Sequence, residues 1–175
     1  MPTAAAKGVK ALVLAGGSGT RLRPLTHTIA KQLLPVAGKP ILHYVLEQLA
    51  NAGWTDVGII VSPQTGEGIR DSLGDGQRWG LKITYILQER AGGLAHAVQA
   101  GQTFLGSSPF LVFLGDNIFQ DRLSTLAEEY AARPEEALIV VKKVPNPQAF
   151  GVVEVDSAGR PTRLVEKPKE PKSDL

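Results

Sequence analysis

The stretch Leu14-Ala15-Gly16-Gly17-Ser18-Gly19-Thr20-Arg21-Leu22 decides the reading of this chain. It follows a short apolar run at residues 9–14, so it reads as a buried strand running into a tight glycine-rich loop. Glycines at such a place let the backbone approach a ligand and turn its N–H groups inward, which makes a concavity for an anion. Arg21 then offers planar, multidentate contact to phosphate oxygens. Two common phosphate loops do not fit. Thr20-Arg21 follows Gly19 where GxxxxGK[ST] needs Lys-Ser/Thr, and Leu22 stands where GxGxxG needs a third glycine. Taken alone, the loop also admits a plainer reading, a glycine-rich turn with a solvated arginine.

Outward from the loop, strand and helix signals alternate. Apolar runs at 57–61 and 110–114, with 82–87 alternating, read as strands. Leu42, Val45, Leu46 and Leu49 repeat at helical spacing after Pro40, and Gly53 supplies a stop. Residues 69–73 suit a short helix, 94–105 a longer one, and Leu123, Leu126, Ala127 and Tyr130 mark another. Residues 137–144 read as a fifth strand of the same apolar kind. Such runs suit a parallel sheet covered on both faces, so the expected class is α/β: a Rossmann-like, mixed but mostly parallel sheet with helices on either side. Past Pro145, residues 151–155 and 162–166 flank Asp156-Ser157-Ala158-Gly159 as a β-hairpin. Residues 167–175, charged and holding two prolines, read as a tail or a severed connection.

The 175 residues are enough for one ordinary domain, 1–175, with 43% apolar and 21% charged residues. A net charge of +2 gives no reason to expect nucleic acid or an anionic membrane as partner. With no cysteine, disulfides, thiolate metal sites and cysteine nucleophiles are excluded, in keeping with a cytoplasmic setting. No apolar run approaches the roughly 18 residues of a membrane span. The start, with Lys7 and Lys10 before ALVLAGG, mimics a secretion signal, but the apolar stretch is short and a polar loop follows it.

Further landmarks recur in order: Lys31-Gln32-Leu33-Leu34-Pro35, Gly93-Leu94-Ala95-His96-Ala97, Leu114-Gly115-Asp116-Asn117, Phe150-Gly151-Val152-Val153 and Val165-Glu166-Lys167-Pro168. With GGSGTRLRPLT, this series resembles the sugar-1-phosphate nucleotidylyltransferases over nearly the whole chain. The KQLLP and LGDN forms most resemble glucose-1-phosphate thymidylyltransferases, and Glu89-Arg90-Ala91-Gly92 is closer to their long type, which carries a further C-terminal domain. The resemblance implies transfer of a nucleotidyl group from dTTP or UTP to a sugar 1-phosphate, with Mg²⁺ as cofactor. It implies Arg21 and Lys31 on the β- and γ-phosphates, Asp116 on the metal, and Lys167 on the sugar phosphate and α-phosphate. Leu14, Gly16, Gly17, Gly19, Thr20, Gln88 and Gly93 would line the nucleotide site. Asn117, Gly151 and Glu166 would address the hexose. It also implies a second metal-binding aspartate beyond residue 175, so the domain is expected to be incomplete at its C-terminus.

Each residue has a plainer alternative. Asp116 alone suits a helix cap or turn, Lys167 and Glu166 a solvated surface, and His96 packing or capping. Trp54 and Trp79 read as packing residues. A noncatalytic nucleotide- or sugar-phosphate-binding module left by truncation stays open as an alternative function, as does a homo-oligomer.

Overall fold

The computed structural model describes residues 6–17, 19, 22–132 and 137–175. Their contacts fall into two compact units, one within Met1–Pro134 and one within Glu135–Leu175.

The first unit is built on a four-stranded sheet. Its strands are β1 (Lys10–Leu14), β4 (Asp56–Val61), β5 (Lys82–Leu87) and β6 (Phe110–Leu114). Their order is β5-β4-β1-β6, and every pairing is parallel. A small antiparallel pair, β2 (Pro35–Val36) and β3 (Lys39–Pro40), lies outside that sheet. The alternation of side chains along β1 explains why both faces need cover. Ala11, Val13 and Ala15 enter one core with Val57, Ile59 and Val61. That core is closed by α1 (Ile41–Asn51), α2 (Gly66–Leu73) and α5 (Leu123–Ala132), through Leu42, Leu46, Ile69, Leu73, Leu123 and Ala127. Leu12, Leu14 and Ile60 point to the other face, where Ala97 of α3 (Gly93–Ala100) and Leu105 of α4 (Gln102–Leu105) cover them. The expected class is therefore observed, with the main sheet wholly parallel among the described residues.

Two expectations change in detail. Residues 94–105 form two helices rather than one, with a break at Gly101, where an added Cβ would lie 3.0 Å from both methyls of Leu12. Close approach of the sheet takes precedence there over helical continuity. Residues 137–144 are not a strand. Leu138, Ile139, Val140 and Val141 are exposed, and no described residue pairs with them in a ladder. Composition supplies β-propensity, but a strand exists only where a neighbour takes up its N–H and C=O groups.

The second unit holds the hairpin β7 (Gly151–Val155) and β8 (Pro161–Glu166). At its turn, Asp156 accepts the N–H groups of Arg160 and Ala158, each at 2.9 Å, and the Arg160 guanidinium. These bonds, the one from the Arg160 backbone first, hold the Asp156 carboxyl below its ordinary range. Residues 167–175 fold back on the hairpin: Val153 N–H donates to Leu175 O at 2.9 Å, and Lys143 pairs with Asp174 at 3.6 Å. No helix among the described residues is long and apolar enough to cross a membrane.

Candidate functional site

The strand order fixes where a site can form. The chain moves from β1 outward to β4 and β5, then returns to the opposite side of β1 as β6. The reversal of strand order on the two sides of β1 opens a crevice at its carboxyl end, the usual ligand site of an open parallel sheet. The Gly16-Gly17 loop leaves β1 at that crevice, and Gly115-Asp116-Asn117 leaves β6 beside it. The two exits are joined by the backbone. Gly115 N–H donates to Leu14 O at 3.0 Å, and Ala15 N–H donates to Ile60 O at 2.8 Å.

Lys31 lies 85 positions from Asp116 in sequence, yet its ammonium meets the Asp116 carboxylate at 2.5 Å. A 3-10 turn at Lys31–Leu33 aims it, because Gln32 is buried to 1% exposure and Leu33 packs on the core. The lysine stem runs along the loop: a Cβ added to Gly17 would stand 3.1 Å from Lys31 Cε. Gly19 is held in the left-handed region at φ 63°, and a Cβ there would meet Lys31 Cβ at 2.9 Å. Only glycine fits both demands. A cation and a carboxylate thus share the mouth of the crevice, each about a quarter to a third exposed.

On the other side of the loop stands Gln88, which follows β5 and is 8% exposed. Its backbone N–H donates to Val61 O at 2.8 Å. A Cβ added to Gly16 would lie 3.1 Å from Gln88 Oε1. The Gln88 amide nitrogen donates to Gly93 O at 3.3 Å, at the start of α3, and lies 2.9 Å from His96 Nδ1. Leu14 contributes its carbonyl to the Gly115 bond while its side chain sits in the core. Thus Leu14, Gly16, Gly17, Gly19, Lys31, Gln88, Gly93 and Asp116 converge, and Asn117 continues the Asp116 turn as an exposed residue. Thr20 and Arg21 lie outside the described residues.

Gly151, Glu166 and Lys167 gather at one end of the hairpin in the second unit. Gly151 faces Glu166 across the pair, and a Cβ there would lie 3.2 Å from Glu166 Oε2. Lys167 Nζ stands 3.6 Å from Glu166 Oε1. Lys167 has φ 45°, a left-handed conformation that a side chain other than glycine adopts at some cost, and such strain collects at working positions.

Sequence reading missed three polar residues at the crevice. Ser62 and Thr65 are buried and bonded to each other at 3.0 Å, bracing the end of β4. Gln32 has a buried Oε1 with no partner, although it was visible as the second residue of KQLLP. Nothing in residue spacing alone marks Ser62 or Thr65. Trp54 is buried and Trp79 packs on the same core, as expected.

Among the described residues no group of three or more His, Asp or Glu side chains could enclose a metal ion. The donor set still suits Mg²⁺, which binds through one or two carboxylates and fills its remaining positions with water and substrate phosphate. Asp116 supplies one such carboxylate, at present neutralised by Lys31.

Comparison with known proteins bears on this arrangement. The chain matches the family model for nucleotidyl transferases over residues 10–175. A glucose-1-phosphate thymidylyltransferase of Streptomyces antibioticus is 53% identical over 168 residues, covering 95% of this chain and 47% of that protein. One from Neisseria meningitidis serogroup A is 41% identical over 167 residues, covering 95% and 58%. The chain therefore spans about half the length of the curated relatives it matches. A Bacillus anthracis protein solved as a glucose-1-phosphate thymidylyltransferase in complex with sucrose superposes with a TM-score of 0.90 at 37% identity, over 95% of this chain and 67% of that one. A UDP-glucose pyrophosphorylase solved with UDP-glucose, 24% identical with a TM-score of 0.78 over 95% of this chain and 72% of that one, shares the fold.

Proposed function

The chain belongs to the nucleotidyl transferase family, and from that premise we propose that it transfers a thymidylyl group from dTTP to glucose 1-phosphate, giving dTDP-glucose and pyrophosphate. UTP and related hexose phosphates are the nearest alternatives. The observation that carries the reading is Lys31, stretched along the Gly17 backbone onto Asp116 at the mouth of the crevice. A cation for the triphosphate and a carboxylate for its metal stand together there.

The reaction asks little of acid–base groups. The nucleophile is a phosphate monoester whose second pKa is about 6, so it is already anionic near neutrality. Its oxygen attacks the α-phosphorus, the bond to the α–β bridging oxygen breaks, and pyrophosphate leaves with that electron pair. Positioning and cancellation of charge do the rest. Lys31 and Arg21 hold the β- and γ-phosphates, and Gly16, Gly17, Gly19 and Thr20 line the nucleotide site. Mg²⁺, with Asp116 as one ligand, would offset the charge of the triphosphate. Lys167 neutralises the approach of the two anions. Asn117, Gly151 and Glu166 address the hexose, and Gln88 with the Gly93 backbone reads the base. Residues 1–175 would act as one nucleotidyltransferase domain. We assign it to the cytoplasm, where nucleoside triphosphates and sugar phosphates are made.

The test is pyrophosphate release from dTTP, glucose 1-phosphate and magnesium. It is run on this chain and on a version extended to the relatives' length. Turnover in either supports the reading, with Arg21→Ala lowering it by ~10²–10³-fold. Silence in both overturns it. Saturable dTTP binding without turnover in either would favour a noncatalytic binding module instead.

A further inference from the structure

His96 is the crevice residue that the chemistry above leaves without work. Its contacts give it some. Gln88 Nε2 faces two groups, the Gly93 carbonyl oxygen at 3.3 Å and His96 Nδ1 at 2.9 Å. A carbonyl oxygen can only accept, so the amide nitrogen, not the amide oxygen, must be the atom turned toward it. Both Nε2 hydrogens are then engaged, and His96 Nδ1 must carry a lone pair. That puts the imidazole proton on Nε2 of a neutral ring.

The ring itself is pinned. A Cβ added to Gly92 would stand 2.6 Å from His96 Cγ, so the loop before α3 closes on the imidazole only because residue 92 is glycine. What remains of Gln88 is Oε1, which faces Gly16 at a separation a single Cβ would nearly fill. Held this way, Gln88 offers the crevice an acceptor and no donor.

We propose that His96 is a positioning residue that sets nucleobase selectivity by locking the Gln88 amide. The locked acceptor matches the ring N3–H of thymine or uracil. It opposes cytosine, whose N3 is a lone pair. This rests on the reading of the crevice as a nucleoside triphosphate site. Without the His96 acceptor, Gln88 can turn its amide over and offer N–H to the base. The Gly93 carbonyl alone then resists the turn, so selectivity narrows rather than vanishes. An unmatched buried hydrogen-bonding group costs affinity by roughly 10–100-fold, which sets the scale of the effect.

The experiment compares equilibrium binding of dTTP, dCTP and inorganic tripolyphosphate to the full chain, to His96→Leu and to His96→Asn. The unaltered chain should prefer dTTP over dCTP by about tenfold or more. His96→Leu should narrow that preference several-fold without abolishing it, while leaving tripolyphosphate affinity unchanged. His96→Asn places Oδ1 near the position of Nδ1 and should restore the preference. Nitrogen NMR of the imidazole, assigned by loss of its signals in His96→Asn, should show the Nε2–H tautomer in the ligand-free chain. A proton on Nδ1, or an unchanged preference in His96→Leu, overturns the role of His96 even if dTTP binds well. Failure of the unaltered chain to bind dTTP overturns the nucleotide reading and the selectivity that depends on it.

Discussion

Replacing Lys31 with methionine separates its two partners, and the sign of the effect differs between them. In the ligand-free chain the Lys31 ammonium neutralises Asp116 at 2.5 Å, with side chains 25% and 32% exposed. So much exposure admits solvent screening, so the pair is worth about 1 kcal/mol, the upper end for exposed ion pairs and well below a buried one. Methionine keeps the apolar stem along Gly17 and removes only the charge. The melting temperature should therefore fall by roughly 2–4 °C for a domain of this size. The same ~1 kcal/mol is what Mg²⁺ must overcome to reach Asp116, so removing the lysine should tighten Mg²⁺ binding to the nucleotide-free chain by about fivefold. Turnover should move the other way, dropping ~10²-fold or more as the leaving pyrophosphate loses a charge partner. Thermal melting, a Mg²⁺ titration followed at the Asp116 amide by NMR, and pyrophosphate release check the three. An unchanged Mg²⁺ affinity in Lys31→Met would refute the idea that lysine and metal compete for one carboxylate. Unchanged turnover would refute its place on the leaving group.

Other substitutions test the scaffold and the loop. Gly17→Ala should fold normally, because its Cβ meets the flexible end of Lys31 at 3.1 Å, yet weaken dTTP binding several-fold by displacing that ammonium; calorimetry beside thermal melting checks both. Gly58→Ala puts a Cβ 2.8 Å from the Phe104 ring on α4 and should cost about 1–3 kcal/mol in urea unfolding, with partial rescue by Phe104→Leu. His43 on α1 has its pKa lowered from the ordinary 6.5, first by burial and then by the Arg78 guanidinium, which lies 2.9 Å away. The unfolded state therefore takes up the proton first as pH drops, so stability held above pH 6.5 should decline below it, and His43→Gln should flatten that part of the urea-unfolding profile.

Which of these features could be read from the sequence follows from their range. Strands β1, β4 and β6 were legible as short runs apolar on both faces, and the edge strand β5 was legible by its alternation. Helix α1 was legible for the complementary reason, a single stripe of Leu42, Val45, Leu46 and Leu49. The break at Gly101 was not, because it answers to Leu12 on a distant strand. Residues 137–144 misled because apolar composition says nothing about whether a neighbouring strand is present. The same limit applies at the site. Motif order named Lys31 and Asp116, and the family resemblance Gln88, but not that the first two are paired, nor that the third has both amide hydrogens committed to Gly93 and His96.

The proposed function requires loop, lysine, carboxylate and glutamine to form one nucleotide site at the carboxyl end of the sheet. An amide NMR titration of the chain with dTTP and magnesium tests it most directly. Saturable shifts should concentrate at 15–17, Lys31, Gln88, Gly93 and 115–117, and Asp116→Asn should remove their dependence on magnesium. Shifts absent from those residues at saturation, or scattered among them with unrelated affinities, would contradict it.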